Sequence, residues 1–417
     1  MISKIKKTLY FPIANYFRFF AKIQLSLWKP RIIVVTGSSG KTTLLHLIES
    51  QIGDRAKYSH LANSSFGIPF DILGLKRKSL MINEWIFLFF LTPFKAFKRP
   101  FKEKIYVVEA DCDRPNEGKF LSELLKPEVT LWISSNTTHS VNFDILVNNK
   151  KFESVEKAIA YEFGYFIQRT TKLSIVNGDS RLIDEQLKRT KSLCKKVTKD
   201  YHLDDYKLSK NHTIFKIDGK IYSFNFLLPE DAFYSIYMCN SLLQYLQMQS
   251  DPSFSNFILP EGRSSLFKGI KNTILIDSTY NATPDGMRAI IEMYSKYPSE
   301  KKWLVLGDMI ELGLEEEKEH KKLAEIISKI KLEKIILVGP RLSKYTYPML
   351  KTAKSFIMPK EALDYLNENI KNEETILFKG ARFLEGILEN LLLNKNDANF
   401  LVRREKIWQI RRRKWNL

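Results

Sequence analysis

The chain has 417 residues, of which 44% are hydrophobic and 12% aromatic, so it is globular and too long for one ordinary domain. The formal net charge is +19, yet thirteen of these charges lie in residues 1–31 and 403–417, which argues against a nucleic-acid groove through the body. Three widely spaced cysteines argue against a disulfide framework or a structural zinc site and indicate a reducing, cytoplasmic setting.

The first thirty residues are basic, aromatic and amphipathic. They contain neither an uninterrupted apolar stretch nor a small-residue cleavage site, and Arg18 and Lys22 exclude an ordinary spanning helix. Such a segment either lies on an anionic membrane face or packs on its own domain. A second apolar run at 85–94 is too short to span a bilayer. We expect this run in the core, although the basic residues after it would let it join the same surface.

Residues 32–43, IIVVTGSSGKTT, predict a phosphate cradle. Four apolar residues predict a buried strand, and LLHLIES, which follows, predicts a helix. Gly37 and Gly40 would let backbone N–H groups converge on an anion at the start of that helix. Lys41 would then bring a positive charge to the β- and γ-phosphates, and the Thr42 hydroxyl would ligate Mg²⁺. The cradle is one or two residues shorter than the usual pattern, and it predicts a nucleotide without indicating the reaction.

Two further predicted strands end in polar groups. KIYVVEA at 104–110 ends near Glu109, a candidate Mg²⁺ ligand or water-positioning residue. PEVTLWISS at 127–135 leads to His139. Because parallel strands end at one edge of their sheet, we expect the cradle, the acid and the imidazole to share that edge.

The rest of the chain alternates predicted strands and helices, which indicates a doubly wound, mostly parallel sheet. Residues 205–228 are an exception, because they alternate apolar and polar residues around Asp218-Gly219 and predict a hairpin. We predict an α/β fold in which a P-loop central domain precedes a smaller, Rossmann-like C-terminal domain. The predicted boundaries are a basic leader at 1–30, a central ATP-binding domain at 31–255, a C-terminal domain at 256–395 and a basic tail at 396–417.

These segments resemble the Mur ligase family of ATP-dependent amino-acid and peptide ligases over roughly residues 31–390. The cradle TGSSGKTT, the loop NSSFGIP at 63–69 and the strand-to-histidine segment at 107–143 are similar to the first of its domains. The second domain is the sharper match, and its motifs are EGR at 261–263, DSTYNATPDGM at 277–287, LGDMIELG at 306–313 and KGAR at 379–382. So many motifs in the same order make a chance similarity very improbable.

The resemblance implies carboxylate activation. ATP phosphorylates the carboxylate of an acceptor, an amine attacks the acyl phosphate, and phosphate leaves as an amide forms; these steps mainly need charge neutralisation and alignment. The LGDMIELG and YNATPDGM segments favour a dipeptide-adding ligase that joins D-alanyl-D-alanine to a cell-wall peptide precursor with ATP and Mg²⁺. We expect a cytoplasmic monomer that acts on a small-molecule or peptide substrate and does not bind nucleic acid. Peripheral contact with the inner membrane face stays an open alternative.

The resemblance also implies roles for individual residues. The implied catalytic residues are Lys41, Glu109, His139 and Arg263. The implied nucleotide contacts are Gly37, Ser38, Ser39, Gly40, Lys41, Thr42, Thr43, Asp277 and Asn281. The implied substrate contacts are Asn63, Ser64, Lys379 and Arg382. The implied Mg²⁺ ligands are Thr42, Glu109 and His139.

Two departures from the family pattern bear on these roles. Phe163 stands where the family has a carbamylated lysine, and Glu162 beside it points about 100° away on a helix, so it is not a simple substitute. Only about thirty residues precede the cradle, where family members carry a domain that grips a uridine nucleotide. We therefore expect the acceptor to be held differently, either at a membrane face through the basic termini or by a partner.

Two other functions stay open. One is a Mur-type ligase with another acceptor, such as a folylpolyglutamate, cyanophycin or an amidated wall lipid. The other is a nucleotide-binding partner protein that has lost catalysis, which Phe163 suggests and the presence of Lys41, Glu109, His139 and Arg263 argues against.

Overall fold

The computed structural model describes residues 2–60, 62–76, 82–413 and 415, and it describes the side chains of these residues except 2–8, 82 and 83. The ends of the predicted leader and tail, at residues 1, 414, 416 and 417, lie outside the described residues. The chain divides into two compact units. The first comprises residues 1–136, 145–198 and 234–250, and the second comprises 137–144, 199–233 and 251–417. The domain boundaries given from the sequence stay a prediction.

The helices and strands alternate along most of the chain. In order, the helices are α1 Ile2–Trp28, α2 Lys41–Ile52, α3 Gly67–Leu73, α4 Ile82–Ala96, α5 Glu117–Leu125, α6 Asp144–Asn148, α7 Val155–Arg169, α8 Arg181–Asp184, α9 Lys199–His202, α10 Ala232–Tyr245, α11 Pro284–Lys296, α12 Glu316–Ser328, α13 Pro359–Asn369, α14 Leu384–Leu391 and α15 Lys406–Arg413. The strands are β1 Arg31–Thr36, β2 Ala56–Tyr58, β3 Ile105–Ala110, β4 Val129–Trp132, β5 Leu173–Asn177, β6 Leu193–Val197, β7 Leu203–Leu208, β8 Thr213–Ile217, β9 Lys220–Phe224, β10 Ser265–Lys268, β11 Ile274–Ser278, β12 Lys302–Gly307, β13 Lys334–Val338, β14 Ala353–Phe356 and β15 Thr375–Lys379.

The first unit is built on a six-stranded parallel sheet with the order β2-β3-β1-β4-β5-β6. Strand β1 lies near its centre, and all of its residues except Arg31 are buried. This explains the continuous run of β-branched residues, since a parallel strand is covered on both faces. The predicted parallel α/β fold is therefore confirmed, and the ends of β1, β3 and β4 share one edge.

The predicted leader forms α1, which packs on its own unit. It contacts α3, α4 and α5, and Ala14, Phe17, Ala21 and Trp28 are fully buried. The indole N–H of Trp28 also donates a hydrogen bond to the carbonyl of Glu103 at 2.6 Å. Of the two alternatives for this segment, packing on its own domain is the one that the structure shows, because the apolar side of α1 is already covered by protein.

The apolar run at 85–94 lies within α4 and is only partly in the core. Leu88, Thr92 and Ala96 are buried on one side of the helix. Five apolar residues on and just after the other side are 55% to 77% exposed, namely Ile86, Phe87, Phe90, Phe94 and Phe97. The expectation of a core element is therefore correct for one side of α4 and wrong for the other. No helix in the described part of the chain is both long and apolar enough to cross a bilayer.

The second unit contains a six-stranded sheet with the order β10-β11-β15-β12-β13-β14, in which only β10 is antiparallel. Alternate residues of its strands feed two apolar layers, as Leu304 and Leu306 do on one face and Trp303 and Val305 on the other. The carboxyl ends of β11, β12 and β15 are adjacent, since Lys379 pairs in register with Ser278 and Leu306.

A separate antiparallel sheet, β7-β8-β9, also belongs to the second unit. The predicted hairpin turn joins β8 to β9, where Asp218 and Gly219 have φ values of 47° and 76°. Positive φ at both residues is what a type I′ turn requires.

Candidate functional site

The loop after β1 approaches the end of β4 so closely that only glycine fits at its first position. Gly37 has φ 135°, and a Cβ there would lie 2.7 Å from the Ser134 carbonyl oxygen and 2.8 Å from its nitrogen. Gly40 has φ 81° and immediately precedes α2. The two glycines therefore set a tight loop at the N-terminus of a helix, where backbone N–H groups favour an anion.

Lys41 is held inside this loop. It is 7% exposed, its Nζ donates to the Gly37 carbonyl at 2.6 Å, and it forms an ion pair with Asp111 Oδ2 at 2.7 Å. Burial alone lowers the pKa of Lys41, but the charges of Asp111 and Glu109 outweigh burial and raise this pKa above its ordinary value. Lys41 is thus a fixed positive charge at the start of α2.

Thr42 and Glu109 meet beside Lys41. The Thr42 hydroxyl donates to Glu109 Oε2 at 3.0 Å, and the Glu109 backbone N–H donates to the Ser59 hydroxyl at 2.9 Å. Hydroxyl and carboxylate oxygens are ligands that suit Mg²⁺. Thr43 follows in the first turn of α2.

The other side of the loop is fastened by Ser134. The Ser39 backbone N–H donates to the Ser134 hydroxyl at 2.8 Å, and the Ser38 and Ser134 hydroxyls are 3.0 Å apart. The Asn136 backbone N–H donates to the Ser38 hydroxyl at 3.1 Å. The segment after β4 therefore holds both serines of the loop.

The loop before α3 is connected to the same edge. The Asn63 carbonyl accepts a hydrogen bond from the Asp111 backbone N–H at 2.8 Å, and the Ser64 hydroxyl accepts one from Gly67 at 3.2 Å. The next residue, Ser65, donates its N–H and its hydroxyl to the buried Glu117. The substrate contacts of Asn63 and Ser64 stay a prediction.

Glu162 and Phe163 have roles that are visible in the structure. Phe163 is fully buried against the ring of Trp132. Glu162 accepts hydrogen bonds from the backbone N–H groups of Asn116 and Gly118, at 2.8 and 3.1 Å, so it caps the start of α5. Burial raises the pKa of Glu162 to about 7, against the opposing effect of these hydrogen bonds. Glu162 is therefore engaged at a helix end, which agrees with the argument that it does not replace the family lysine.

His139 is grouped with the second unit, in which it contacts Glu311. His139 Nδ1 lies 2.7 Å from Glu311 Oε2, and the Val141 backbone N–H donates to the Glu311 carbonyl at 3.1 Å. The hydrogen bond with His139 lowers the pKa of Glu311. The role of His139 as a Mg²⁺ ligand stays a prediction.

The edge formed by β11 and β15 in the second unit carries a buried acid and a buried amine. Asp277 is fully buried, and its Oδ1 accepts hydrogen bonds from the N–H and hydroxyl of Thr279. Among the described residues its Oδ2 has no hydrogen-bond partner. Lys379 is 4% exposed and donates to the Asn281 carbonyl at 2.8 Å.

Burial shifts both of these groups. It raises the pKa of Asp277 to about 6, although the hydrogen bonds from Thr279 oppose the shift. Burial lowers the pKa of Lys379 to about 7, and the nearby charge of Arg263 contributes to this shift. Strongly shifted acids and amines in one place are typical of functional sites, because burial without full pairing costs stability.

Two arginines complete this edge. Arg382 Nε forms an ion pair with the fully buried Asp308 at 2.9 Å, and Asp308 Oδ1 accepts the backbone N–H groups of Arg341 and Leu342. The guanidinium of Arg263 lies over the ring of Tyr280, 4.5 Å from its centroid.

The basic tail folds onto the second unit. Arg403 donates to the carbonyls of Thr279 and Tyr280, at 3.0 and 2.8 Å, and forms an ion pair with the fully buried Glu385 at 3.3 Å. Arg412, which is 5% exposed, lies 3.7 Å from the other oxygen of Glu385. The expectation that the tail offers its charges to a membrane is therefore wrong for these two arginines, because a buried acid already pairs with them.

Sequence reasoning did not identify several residues of these sites. They are Asp111, Ser134, Asp308, Glu385 and Arg403. Asp111 and Asp308 carried a usable signal, because each directly follows a predicted strand that ends at the site. Glu385 carried none, since its burial depends on a tail that packs from elsewhere in the chain.

The fold and the cradle define the class of protein, an α/β nucleotide-binding protein of the P-loop type with a second, Rossmann-like unit. Residues 262–382 match the family model described as Mur ligase, glutamate ligase domain. The UDP-N-acetylmuramoyl-tripeptide--D-alanyl-D-alanine ligase of Bacillus subtilis is 25% identical over 408 residues, covering 89% of this chain and 78% of that protein.

Solved structures show the same similarity. MurF from Acinetobacter baumannii has a TM-score of 0.73 at 19% identity, covering 91% of this chain and 79% of that chain. The MurF ligase from Thermotoga maritima in complex with ADP has a TM-score of 0.72 at 20% identity, covering 90% and 82%. The resemblance to the Mur ligase family is thus confirmed, and this chain has the fold of these ligases.

Proposed function

We propose that this protein is an ATP-dependent ligase that joins D-alanyl-D-alanine to the peptide of a UDP-linked cell-wall precursor. The observation that carries the proposal is the cradle in which the fixed charge of Lys41 lies beside the Thr42–Glu109 pair. The substrate class comes from the relatives, whose names specify a UDP-N-acetylmuramoyl-tripeptide and D-alanyl-D-alanine.

The proposed reaction has two steps. An oxygen of the acceptor carboxylate attacks the γ-phosphorus of ATP, so that ADP leaves and an acyl phosphate forms. The amine of the dipeptide then attacks the acyl carbon, loses a proton, and displaces phosphate to leave an amide. Lys41 and the N-terminus of α2 stabilise the negative charge on the transferred phosphoryl group, which is the main task in phosphoryl transfer.

The residues at the end of β3 fit a magnesium ion. Thr42 and Glu109 present a hydroxyl and a carboxylate 3.0 Å apart, and both are hard oxygen ligands. We propose that these two residues hold Mg²⁺, which would neutralise phosphate charge when bound. The proposed part of His139 in a second metal site rests on the resemblance alone.

Residues of the second unit are proposed to contact the substrates. Arg263, Asp277 and Asn281 are assigned to the nucleotide, and Lys379 and Arg382 to the dipeptide or the phosphates. The support for Asp277 is its unpartnered Oδ2, which can accept one more hydrogen bond. The support for Lys379 is its lowered pKa, which leaves part of its population neutral near pH 7. A bound anion would pair with the charged amine and so favour its protonated form.

We also propose that the protein acts in the cytoplasm as a monomer, in peripheral contact with the inner membrane face. The support for a reducing compartment is that its three cysteines are free. Size-exclusion chromatography with light scattering tests the oligomeric state, and a stable dimer would contradict the monomer.

Release of phosphate from ATP tests the proposed function. The full chain is incubated with ATP and Mg²⁺, with the UDP-N-acetylmuramoyl-tripeptide and D-alanyl-D-alanine supplied separately and together. Release that requires both substrates, and that the Lys41→Ala variant lacks, supports the proposal. Release with a folate, cyanophycin or wall-lipid acceptor only would make the chain a Mur-type ligase with another acceptor. No release with any acceptor, despite ADP binding, would indicate a nucleotide-binding partner protein.

A further inference from the structure

The outer side of α4 is an unusually apolar surface for a water-exposed helix. We define the α4 apolar face as Ile86, Phe87, Phe90, Phe94 and Phe97, which are 55%, 63%, 74%, 77% and 68% exposed. The first four are spaced on one side of α4, and Phe97 follows directly after the helix ends at Ala96. A contiguous row of apolar, mostly aromatic residues of this kind marks an interaction surface rather than ordinary surface composition.

The opposite side of α4 is fixed to the protein. Leu88, Thr92 and Ala96 are buried, and Phe89 lies against the rings of Tyr16 and Phe17 of α1. The α4 apolar face is therefore held in place by a packed helix pair and does not need to fold when it binds.

Basic residues follow this face along the chain. We define the basic rim as Lys95, Lys98, Arg99, Lys102 and Lys104, and Glu103 is the only acid in residues 95–104. Within the described residues none of the five forms an ion pair, whereas Arg18 and Arg31 nearby in the unit pair with Glu123 and Glu128. The rim therefore presents uncompensated positive charge.

Further lysines lie along the amino-terminal edge of the first unit's sheet. Lys29, Lys104, Lys126 and Lys172 each lie just before one of the strands β1, β3, β4 and β5. A cavity of about 520 Å³ at this edge is lined by Lys22, Lys29, Lys126 and Lys172, and also by Glu123 and Glu128, the acids that pair with Arg18 and Arg31. The phosphate cradle lies at the carboxyl ends of the same strands, so the basic edge is opposite to the candidate nucleotide site.

We propose that the α4 apolar face and the basic rim bind the surface of an anionic phospholipid bilayer. Aromatic residues inserted at the headgroup boundary, with lysines beside them, are the combination that holds an interfacial helix on such a surface. A second copy of the chain is a poorer occupant, because two basic rims would face each other. The lipid surface would then contact the amino-terminal edge and leave the cradle edge open to water.

Vesicle flotation of the full chain tests this surface without ATP or peptide substrate, so its outcome is independent of the proposed ligase activity. The probes are phosphatidylcholine vesicles and mixed phosphatidylcholine–phosphatidylglycerol vesicles. The aromatic variant is Phe90→Ser/Phe94→Ser, and its control is Leu193→Ser/Phe400→Ser, two residues that are 77% and 62% exposed elsewhere. The charge variant is Lys98→Glu/Arg99→Glu/Lys102→Glu, with Lys151→Glu/Lys220→Glu/Lys351→Glu as its control of equal net charge.

The unchanged chain should float with the mixed vesicles and not with phosphatidylcholine alone. The aromatic variant should bind about tenfold more weakly and the charge variant about a hundredfold more weakly, while both controls bind like the unchanged chain. Thermal unfolding verifies that all variants fold. Absence of vesicle binding, or equal binding by the variants and their controls, would overturn the proposal. A dimer that the aromatic variant loses, without vesicle binding, would assign the face to a second copy and also overturn it.

Discussion

Lys41 has two tasks that a substitution can separate. It compensates the buried carboxylate of Asp111, and it supplies the positive charge of the cradle. The first task concerns stability and the second, which is our proposal, concerns nucleotide binding, so a paired substitution distinguishes them.

Lys41→Met should lower the free energy of unfolding by about 3 kcal/mol, because it leaves Asp111 buried without its partner. Lys41→Met/Asp111→Asn should recover most of that stability but should still fail to bind ADP. Thermal unfolding measures the first effect and calorimetric titration with ADP the second. Nucleotide affinity in the double variant equal to that of the unchanged chain would contradict the role of Lys41 in the cradle.

Two glycines of the first unit both have positive φ but lie in very different surroundings. Alanine substitutions at these two positions can therefore be compared directly. A Cβ on Gly37 would meet the backbone of Ser134, whereas a Cβ on Gly74, which has φ 62° and ψ 32°, would lie 4.0 Å from Phe101 Cζ, an ordinary contact distance. Gly74→Ala should therefore cost only the left-handed strain, about 1 kcal/mol. Gly37→Ala should cost more and should abolish ADP binding, since the loop must move away from β4. Equal melting temperatures for the two variants would show that the close approach has no energetic consequence.

Lys379 predicts a specific dependence of stability on pH. The pKa of Lys379 is about 7 in the folded chain and about 10.4 when unfolded, so between these values the unfolded chain holds a proton that the folded chain has lost. Stability should therefore rise with pH from about 7 to about 9, by about 1 kcal/mol per pH unit from this residue. Urea unfolding of the unchanged chain and of Lys379→Met should give stability curves of different slope, with the unchanged chain gaining stability relative to the variant as the pH rises. Parallel curves over this range would mean that Lys379 stays charged in the folded chain.

At the scale of elements, the tail after residue 402 acts as a clamp on the second unit. Arg403 and Arg412 both approach the buried Glu385, and Arg403 also holds the carbonyls of Thr279 and Tyr280, directly after Asp277. The clamp thus joins the chain's C-terminal helix to the segment assigned to the nucleotide.

Arg403→Met/Arg412→Met should destabilise the second unit by about 3 kcal/mol, because Glu385 is left buried and unpaired. Adding Glu385→Gln should restore much of the loss, since the buried charge is removed. Arg413→Met, at an exposed position of the same helix, is the control and should change little. Thermal unfolding provides the measurement, and a double variant as stable as the control would rule out the clamp.

Elements differ in how far their sequences predict them. Strands β1, β3 and β5 were predictable because short, mainly apolar runs rich in Ile and Val suit a strand covered on both faces. The exposure of the outer side of α4 was not predictable, because an apolar residue looks the same in the sequence whether it packs in the core or lies on the surface. The tail was not predictable either, since the compensation of its charge depends on Glu385, which is distant in sequence.

At the scale of the whole molecule, the sequence motifs predicted the fold class and the cradle well. They did not predict which basic residues are paired with acids and which are exposed. The cradle was predictable because Gly37, Lys41 and Thr42 act within one short loop. The charges at the two ends indicated an anionic surface at the termini, yet α1 is packed and two tail arginines are paired. The uncompensated charge lies instead beside α4 and along one sheet edge.

The central claim is that this chain activates a carboxylate as an acyl phosphate, and transfer of oxygen tests it most directly. The acceptor peptide is labelled with ¹⁸O in its terminal carboxylate and incubated with the full chain, ATP, Mg²⁺ and D-alanyl-D-alanine. Mass spectrometry of the released phosphate should find one labelled oxygen in each phosphate formed with an amide product, and none with Lys41→Met. Unlabelled phosphate, released while the amide forms or without any amide, would contradict the account.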